Sequence, residues 1–234
     1  QSLLPVFQPK LPGLDIVGLC IPAAEVGGDY YDYFYIDDYR IGIAIADVSG
    51  KGASAAFYMA EIKGMMTSLA DLVSSPKNLV AQLNKYLNKN IDKRVFTTMV
   101  YGVLDMQKLE FSYVRAGHNA VIAKRCKNHH DVDVYIPRGM GLGLVDDVTF
   151  LESTEEHCIQ FAAGDVLILY TDGISEAMNE NLEEFGEERL YDIIAANHVV
   201  GAYDMQRRIM RQINEFVQGA RQHDDITMII AQFI

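Results

Sequence analysis

Residues 40–46 read Arg-Ile-Gly-Ile-Ala-Ile-Ala, so Ile41, Ile43 and Ile45 alternate with Gly42, Ala44 and Ala46. A period of two is the signature of a strand. The three isoleucines require a core on one face. The small residues opposite leave room for something to pack closely there. Further strands are predicted at Asp15–Pro22, Tyr30–Ile36, Met99–Asp105, Lys108–Arg115, Ala120–Lys124, Val148–Leu151, Asp165–Tyr170 and Ile226–Phe233. The break at Asp105–Lys108 reads as a hairpin turn.

Helices interrupt this series early and late. Met59, Ile62, Met66, Leu69 and Val73 recur at spacings of three and four, one helical face. Ser75-Pro76 is a cap followed by proline at the first helical position, with Leu79, Val80, Leu83, Tyr86 and Leu87 turned inward. Met205, Ile209, Ile213 and Phe216 mark a third helix, and a shorter one covers Glu187–Ala196. The strands are mostly adjacent in sequence, without regular βαβ alternation. That order points to an α+β fold of antiparallel sheets with helices outside.

Residues 1–234 carry no linker, repeat or low-complexity tract, so they read as one domain. The chain opens on Gln1-Ser2 without a signal peptide, which reads as a segment cut from a longer protein. It holds 20 basic and 32 acidic side chains, a formal charge of −12. That balance argues against nucleic acid and against an anionic membrane surface. Cys20, Cys126 and Cys158 are an odd number without a CxxC pair; three small buried or half-buried thiols in a reducing, cytoplasmic setting are expected.

The chemistry lies in where the aspartates fall. Asp29 follows Gly27-Gly28 and precedes a strand; Asp47 ends the Ile41–Ala46 strand; Asp172 follows Val166–Tyr170; Asp224-Asp225 precede the last strand. Rigid strand ends present side chains to a cleft, and neighbouring glycines let a ligand approach the backbone. Each aspartate alone also fits ordinary turn chemistry. Brought together, carboxylates repel unless a cation holds them. All-oxygen donors select Mg²⁺ or Mn²⁺.

These residues sit in motifs. PAAEVGGDYYD (22–32), DVSGKG (47–52), AGHN (116–119), LYTDGISEA (169–177), FG with RL (185–190) and DDIT (224–227) occur in this order. Together they resemble the SpoIIE/RsbU-like branch of the metal-dependent PPM (type 2C-like) serine/threonine protein phosphatases, over essentially the whole chain. The resemblance implies a two-sheet sandwich flanked by helices with a metal cluster at one end. It implies two Mn²⁺ or Mg²⁺ ions, with a third, weaker one in some relatives. Asp47 would bridge the ions, the Val48 carbonyl and Asp29 would serve the second, and Asp172 and Asp224 the first. Asp225 has a turn or capping role as its alternative. The reaction implied is direct hydrolysis by activated water. The substrate implied is a phosphorylated STAS-type anti-anti-sigma protein in bacterial partner switching. An upstream sensor or receiver domain in cis is also implied, with an upstream helix through which a homodimer could form.

Some features depart from the pattern or lie outside it. Ala24 stands where many relatives carry Arg or Lys, and Ala120 replaces a proline after Asn119. Residues 138–143 match the branch's GxPLGL only loosely. Lys51 reads as a solvated lysine or a phosphate neighbour. His129-His130 and Asp131-Val132-Asp133 read as a solvated loop, and His118 as part of a structural turn. A phosphoprotein-binding module with little turnover and a small-phosphoester hydrolase remain as alternatives.

Overall fold

The computed structural model describes residues 3–50, 52–70, 72, 75–90, 95–127, 132–196 and 201–234. Lys51, Val73, His129, His130 and Asp131 therefore lie outside the described residues. Among the described residues, ten strands form two five-stranded sheets in which every named strand pair is antiparallel. The first sheet orders β1 (Leu14–Ile21), β10 (Ile226–Phe233), β9 (Val166–Tyr170), β6 (Val121–Lys124) and β7 (Val132–Tyr135). The second orders β2 (Asp29–Tyr35), β3 (Arg40–Val48), β4 (Thr97–Asp105), β5 (Glu110–Ala116) and β8 (Glu156–Gln160).

The two faces of β3 do what the alternation predicts. Ile41, Ile43 and Ile45 are fully buried between the sheets, against Leu167, Leu169, Ile229 and Phe233 of the first sheet. Ala44 and Ala46 face the other way, under α1 (Ala53–Ala70) and α2 (Pro76–Asn90). Their small side chains let Met59, Ile62 and Met66 of α1 approach the sheet. The opposite outer face packs Val17, Ile168, Met228 and Ile230 against Leu190 and Ile194 of α5 (Glu187–Ala195) and Met205, Ile209 and Ile213 of α6 (Ala202–Val217). The result is the four-layer αββα arrangement.

Three local expectations are corrected, and a further strand is added that the sequence pattern does not predict. Val132-Asp133, expected in a solvated loop, opens β7 and pairs with Lys124 and Ala123 of β6. Val148–Leu151 is not a strand but lies in α3 (Asp147–Ser153), because the Asp146 side chain accepts the N–H groups of Val148 and Thr149 and caps a helix start. Beside it, Glu156–Gln160 forms an edge strand whose polar, half-exposed residues lack an apolar period. Cys126 and Cys158 are exposed, and only Cys20 is half-buried; all three are free thiols.

Candidate metal centre

Antiparallel pairing of β2 with β3 sets Asp29 directly opposite Asp47. Both stand at the same end of the second sheet. In the first sheet, β9 runs out through Thr171 into the short helix α4 (Asp172–Ser175), while Asp224-Asp225 lead into β10 beside it. A shared bond system joins the two sheet ends. Thr171 N–H donates to the Thr227 carbonyl at 3.0 Å, and Thr227 N–H donates to Thr171 Oγ1 at 3.0 Å. The Thr171 hydroxyl then donates to Asp29 Oδ2 at 2.8 Å. One hydroxyl thus orients a carboxylate that belongs to the other sheet.

Asp225 has the capping role. Its buried carboxylate accepts Ala23 N–H at 2.8 Å, Gly28 N–H at 2.7 Å and Asp29 N–H at 3.2 Å. Its own N–H donates to Asp224 Oδ1 at 2.9 Å. So Asp225 folds the 23–29 loop onto the first sheet and leaves Asp224 half-buried at the rim. The fit is close enough to demand glycine. A Cβ on Gly27 would lie 2.0 Å from Asp225 Oδ2, and one on Gly173 would lie 1.9 Å from the Asp225 carbonyl oxygen.

Val48 is held from both sides. Its N–H donates to the Gly28 carbonyl at 3.3 Å, and the next residue, Ser49, donates its N–H to the Phe96 carbonyl at 2.9 Å. Phe96 N–H returns a bond to Ser49 Oγ at 2.9 Å. A Cβ on Gly28 would press to 2.7 Å from the Val48 carbonyl oxygen and 3.5 Å from Asp47 Oδ1. Glycine therefore keeps a gap open beside two oxygens that the motif resemblance assigns to metal.

The electrostatics match a site built for a cation. Burial raises the Asp29 carboxyl well above the usual range, and the charges of Asp47 and Asp225 push it further in the same direction. A positive charge placed there would reverse that balance. Among the described residues, no three His, Cys, Asp or Glu side chains are gathered closely enough to hold a cation on their own. Asp29, Asp47, Asp172, Asp224 and the Val48 carbonyl nevertheless supply oxygen donors only, the chemistry of Mg²⁺ or Mn²⁺.

His118 takes no place among these donors. It is buried, with Nδ1 2.8 Å from Thr98 Oγ1, and its pKa is pulled down to about 3 by burial and by the Arg115 guanidinium. Arg115 in turn donates to the Pro137 carbonyl at 3.0 Å and to the His118 carbonyl. This is the structural turn predicted for it. Ala24 is exposed on the 23–29 loop. Thr171 and Ser49 were not singled out from sequence. Their only signals were the Thr before Asp172 and the Ser after Val48.

Known proteins resemble this chain in sequence and in fold. The family model described as Stage II sporulation protein E (SpoIIE) matches residues 37–234. "Phosphoserine phosphatase RsbU" of Bacillus subtilis (strain 168) is 33% identical over 232 residues, covering 98% of this chain and 66% of RsbU. The chain thus spans just under two thirds of that relative. The "SiaA-PP2C domain of Pseudomonas aeruginosa" superposes with a TM-score of 0.82 at 18% identity, over 94% of this chain and 86% of that one. RsbX, crystallised in complex with magnesium, superposes with a TM-score of 0.71 at 16% identity, over 97% of this chain and 98% of its own. The two structural likenesses establish a PP2C-type fold.

Proposed function

The chain belongs to the SpoIIE family, and from that premise we propose that it is a metal-dependent protein phosphatase acting on phosphoserine or phosphothreonine. The observation that carries the reading is the Asp29–Asp47 pair, set opposite one another by strand register and tied to the other sheet through Thr171. Asp29, Asp47, the Val48 carbonyl, Asp172 and Asp224 would hold two Mn²⁺ or Mg²⁺ ions; magnesium in RsbX supports the choice of a hard divalent ion. Ions bound there would supply Lewis-acid activation of water and neutralise charge on the phosphoryl oxygens. The chain's own part is positional. Thr171 fixes the Asp29 rotamer, Asp225 fixes the loop that carries Asp29, and the Phe96–Ser49 bonds fix the Val48 carbonyl.

The substrate proposed is a phosphorylated regulator, in particular a STAS-type anti-anti-sigma protein, by extension from RsbU. A chain of charge −12 repels such a protein at long range, so local positive charge must prevail at contact. The 66% coverage of RsbU supports a longer architecture with a regulatory segment in cis; a homodimer formed through it and a cytoplasmic setting are proposed from the sequence alone. No described helix is long and apolar enough to cross a membrane.

The reading is tested by hydrolysis of para-nitrophenyl phosphate with Mn²⁺ or with EDTA. Turnover is expected with Mn²⁺ alone, and Asp47→Asn is expected to lower it by about 100-fold or more. Turnover that persists in EDTA or in Asp47→Asn would refute it. Saturable Mn²⁺ binding with no turnover would point to a missing activator, and no turnover with no Mn²⁺ binding would favour the phosphoprotein-binding module.

A further inference from the structure

A cavity of about 380 Å³ opens beside Asp224, between the α4 turn and the C-terminal end of α6. Its lining includes Asp224 and Gly173, the latter directly after Asp172. A group seated there lies beside Asp172 and Asp224, which the phosphatase reading assigns to the metal ions. Ala177, Met178, Ile213, Val217 and Ile226 make an aliphatic wall, while Glu176, Asn214 and Gln222 add polar groups to the lining. Arg221 and His223 are exposed residues of the lining, and Arg221 brings a positive charge to an otherwise acidic chain.

Three features decide what fills it. Phosphoester hydrolysis needs nothing apolar from the enzyme at the phosphorus itself, so the aliphatic space serves the part of the substrate beyond the phosphate. Its lining contains no Phe, Tyr or Trp on which a nucleobase could stack. A flexible methionine and branched aliphatic walls suit an aliphatic side chain. We propose that this cavity is a specificity subsite for an aliphatic residue of the phosphoprotein, placed a few positions from the phosphorylated residue, with Arg221 facing its acidic surroundings. The proposal rests on the phosphatase reading and names the substrate feature that this reading leaves open.

The experiment uses phosphoserine peptides carrying a single leucine, moved from four residues before the phosphoserine to four after it, against an all-alanine parent. At one position leucine is expected to raise kcat/KM by about ten-fold, the order of discrimination that a few methylenes in an apolar pocket provide. In Asn214→Trp, which narrows the mouth from the exposed side of α6, and in Ala177→Leu, which fills the floor, that leucine-to-alanine ratio is expected to fall to near one. A ratio does not depend on the fraction of active protein, so partial misfolding cannot mimic the result. The same ratio is read as a Kd by fluorescence anisotropy, with the phosphoserine replaced by its phosphonate. Turnover with no leucine preference at any position, or with a preference unchanged in both variants, overturns the subsite. A leucine preference in binding without turnover upholds the subsite and overturns the phosphatase reading instead.

Discussion

The two halves of the carboxylate end are built differently. On the Asp29–Asp225 side, one buried carboxylate accepts three backbone N–H groups, one hydroxyl bridges the sheets, and two glycines are crowded to within about 2 Å of where a Cβ would stand. On the Asp47–Gly52 side, Gly50 and Gly52 take φ of +107° and +71°, and a Cβ on either would meet nothing within 4 Å. That loop runs straight into α1, whose exposed Phe57 gives it an apolar outer face. Besides its core packing, α1 is pinned by Lys63 Nζ, 2.8 Å from Asp32 Oδ2, where Tyr30 Oη also donates at 2.9 Å. The first half is over-determined by packing. The second is paired to β4 at Asp47 and Val48, and beyond Val48 is tied through Ser49 and Phe96. Changes in the first half should therefore cost folding, and changes in the second should cost ligand affinity.

The largest expected effect breaks the contrast directly. Gly173→Ala drives a methyl group into the Asp225 carbonyl and should destabilise the chain by about 4 kcal/mol or more, whereas Gly52→Ala meets only the strain of its positive φ, about 1 kcal/mol. Urea unfolding of the two variants measures both. Equal losses would mean that the two halves are equally tight.

Next in size is a pH effect from His118, which packs behind the site. Its folded pKa of about 3 lies below the ordinary value near 6.5. Above about 6.5 both states are neutral and it contributes nothing. As pH falls below that, the unfolded chain takes up a proton that the folded chain refuses, so stability drops by up to about 1.4 kcal/mol per pH unit towards pH 3. Unfolding free energies between pH 7 and 4.5 should fall less steeply in His118→Asn. Identical slopes would place a charged imidazole in the fold.

The smallest pair of effects sharpens the comparison. Thr171→Val removes a hydroxyl that both donates to Asp29 and accepts from Thr227, at a cost of about 2 kcal/mol. Ser49→Ala removes one bond from Phe96, about 1 kcal/mol. If the halves differ as described, Ser49→Ala weakens Mn²⁺ binding by more than its loss of stability would imply. An unchanged Mn²⁺ affinity in Ser49→Ala would show that the Val48 carbonyl is held without it.

Much of this was legible before any coordinates. The β3 alternation marks a strand covered on both faces, and aspartates at the ends of two successive antiparallel strands come into register almost automatically. The twin carboxylates of 224 and 225 could not be sorted that way. Which of two adjacent side chains turns inward depends on the 23–29 loop, nearly two hundred residues away in sequence. The crowding at Gly27 and Gly173 is hidden for the same reason, since it exists only once those loops meet. Asp146 misled the reading of 148–151 because a single cap outweighs a short apolar run.

The central claim is that Asp29, Asp47, the Val48 carbonyl, Asp172 and Asp224 are one divalent-cation site. Titration calorimetry of Mn²⁺ into the wild-type chain and Asp47→Asn tests it most directly. The account predicts saturable binding to the wild type and an affinity at least about ten-fold weaker in Asp47→Asn, with the fold intact. Superimposable isotherms for the two proteins, or no binding to the wild type, would contradict it.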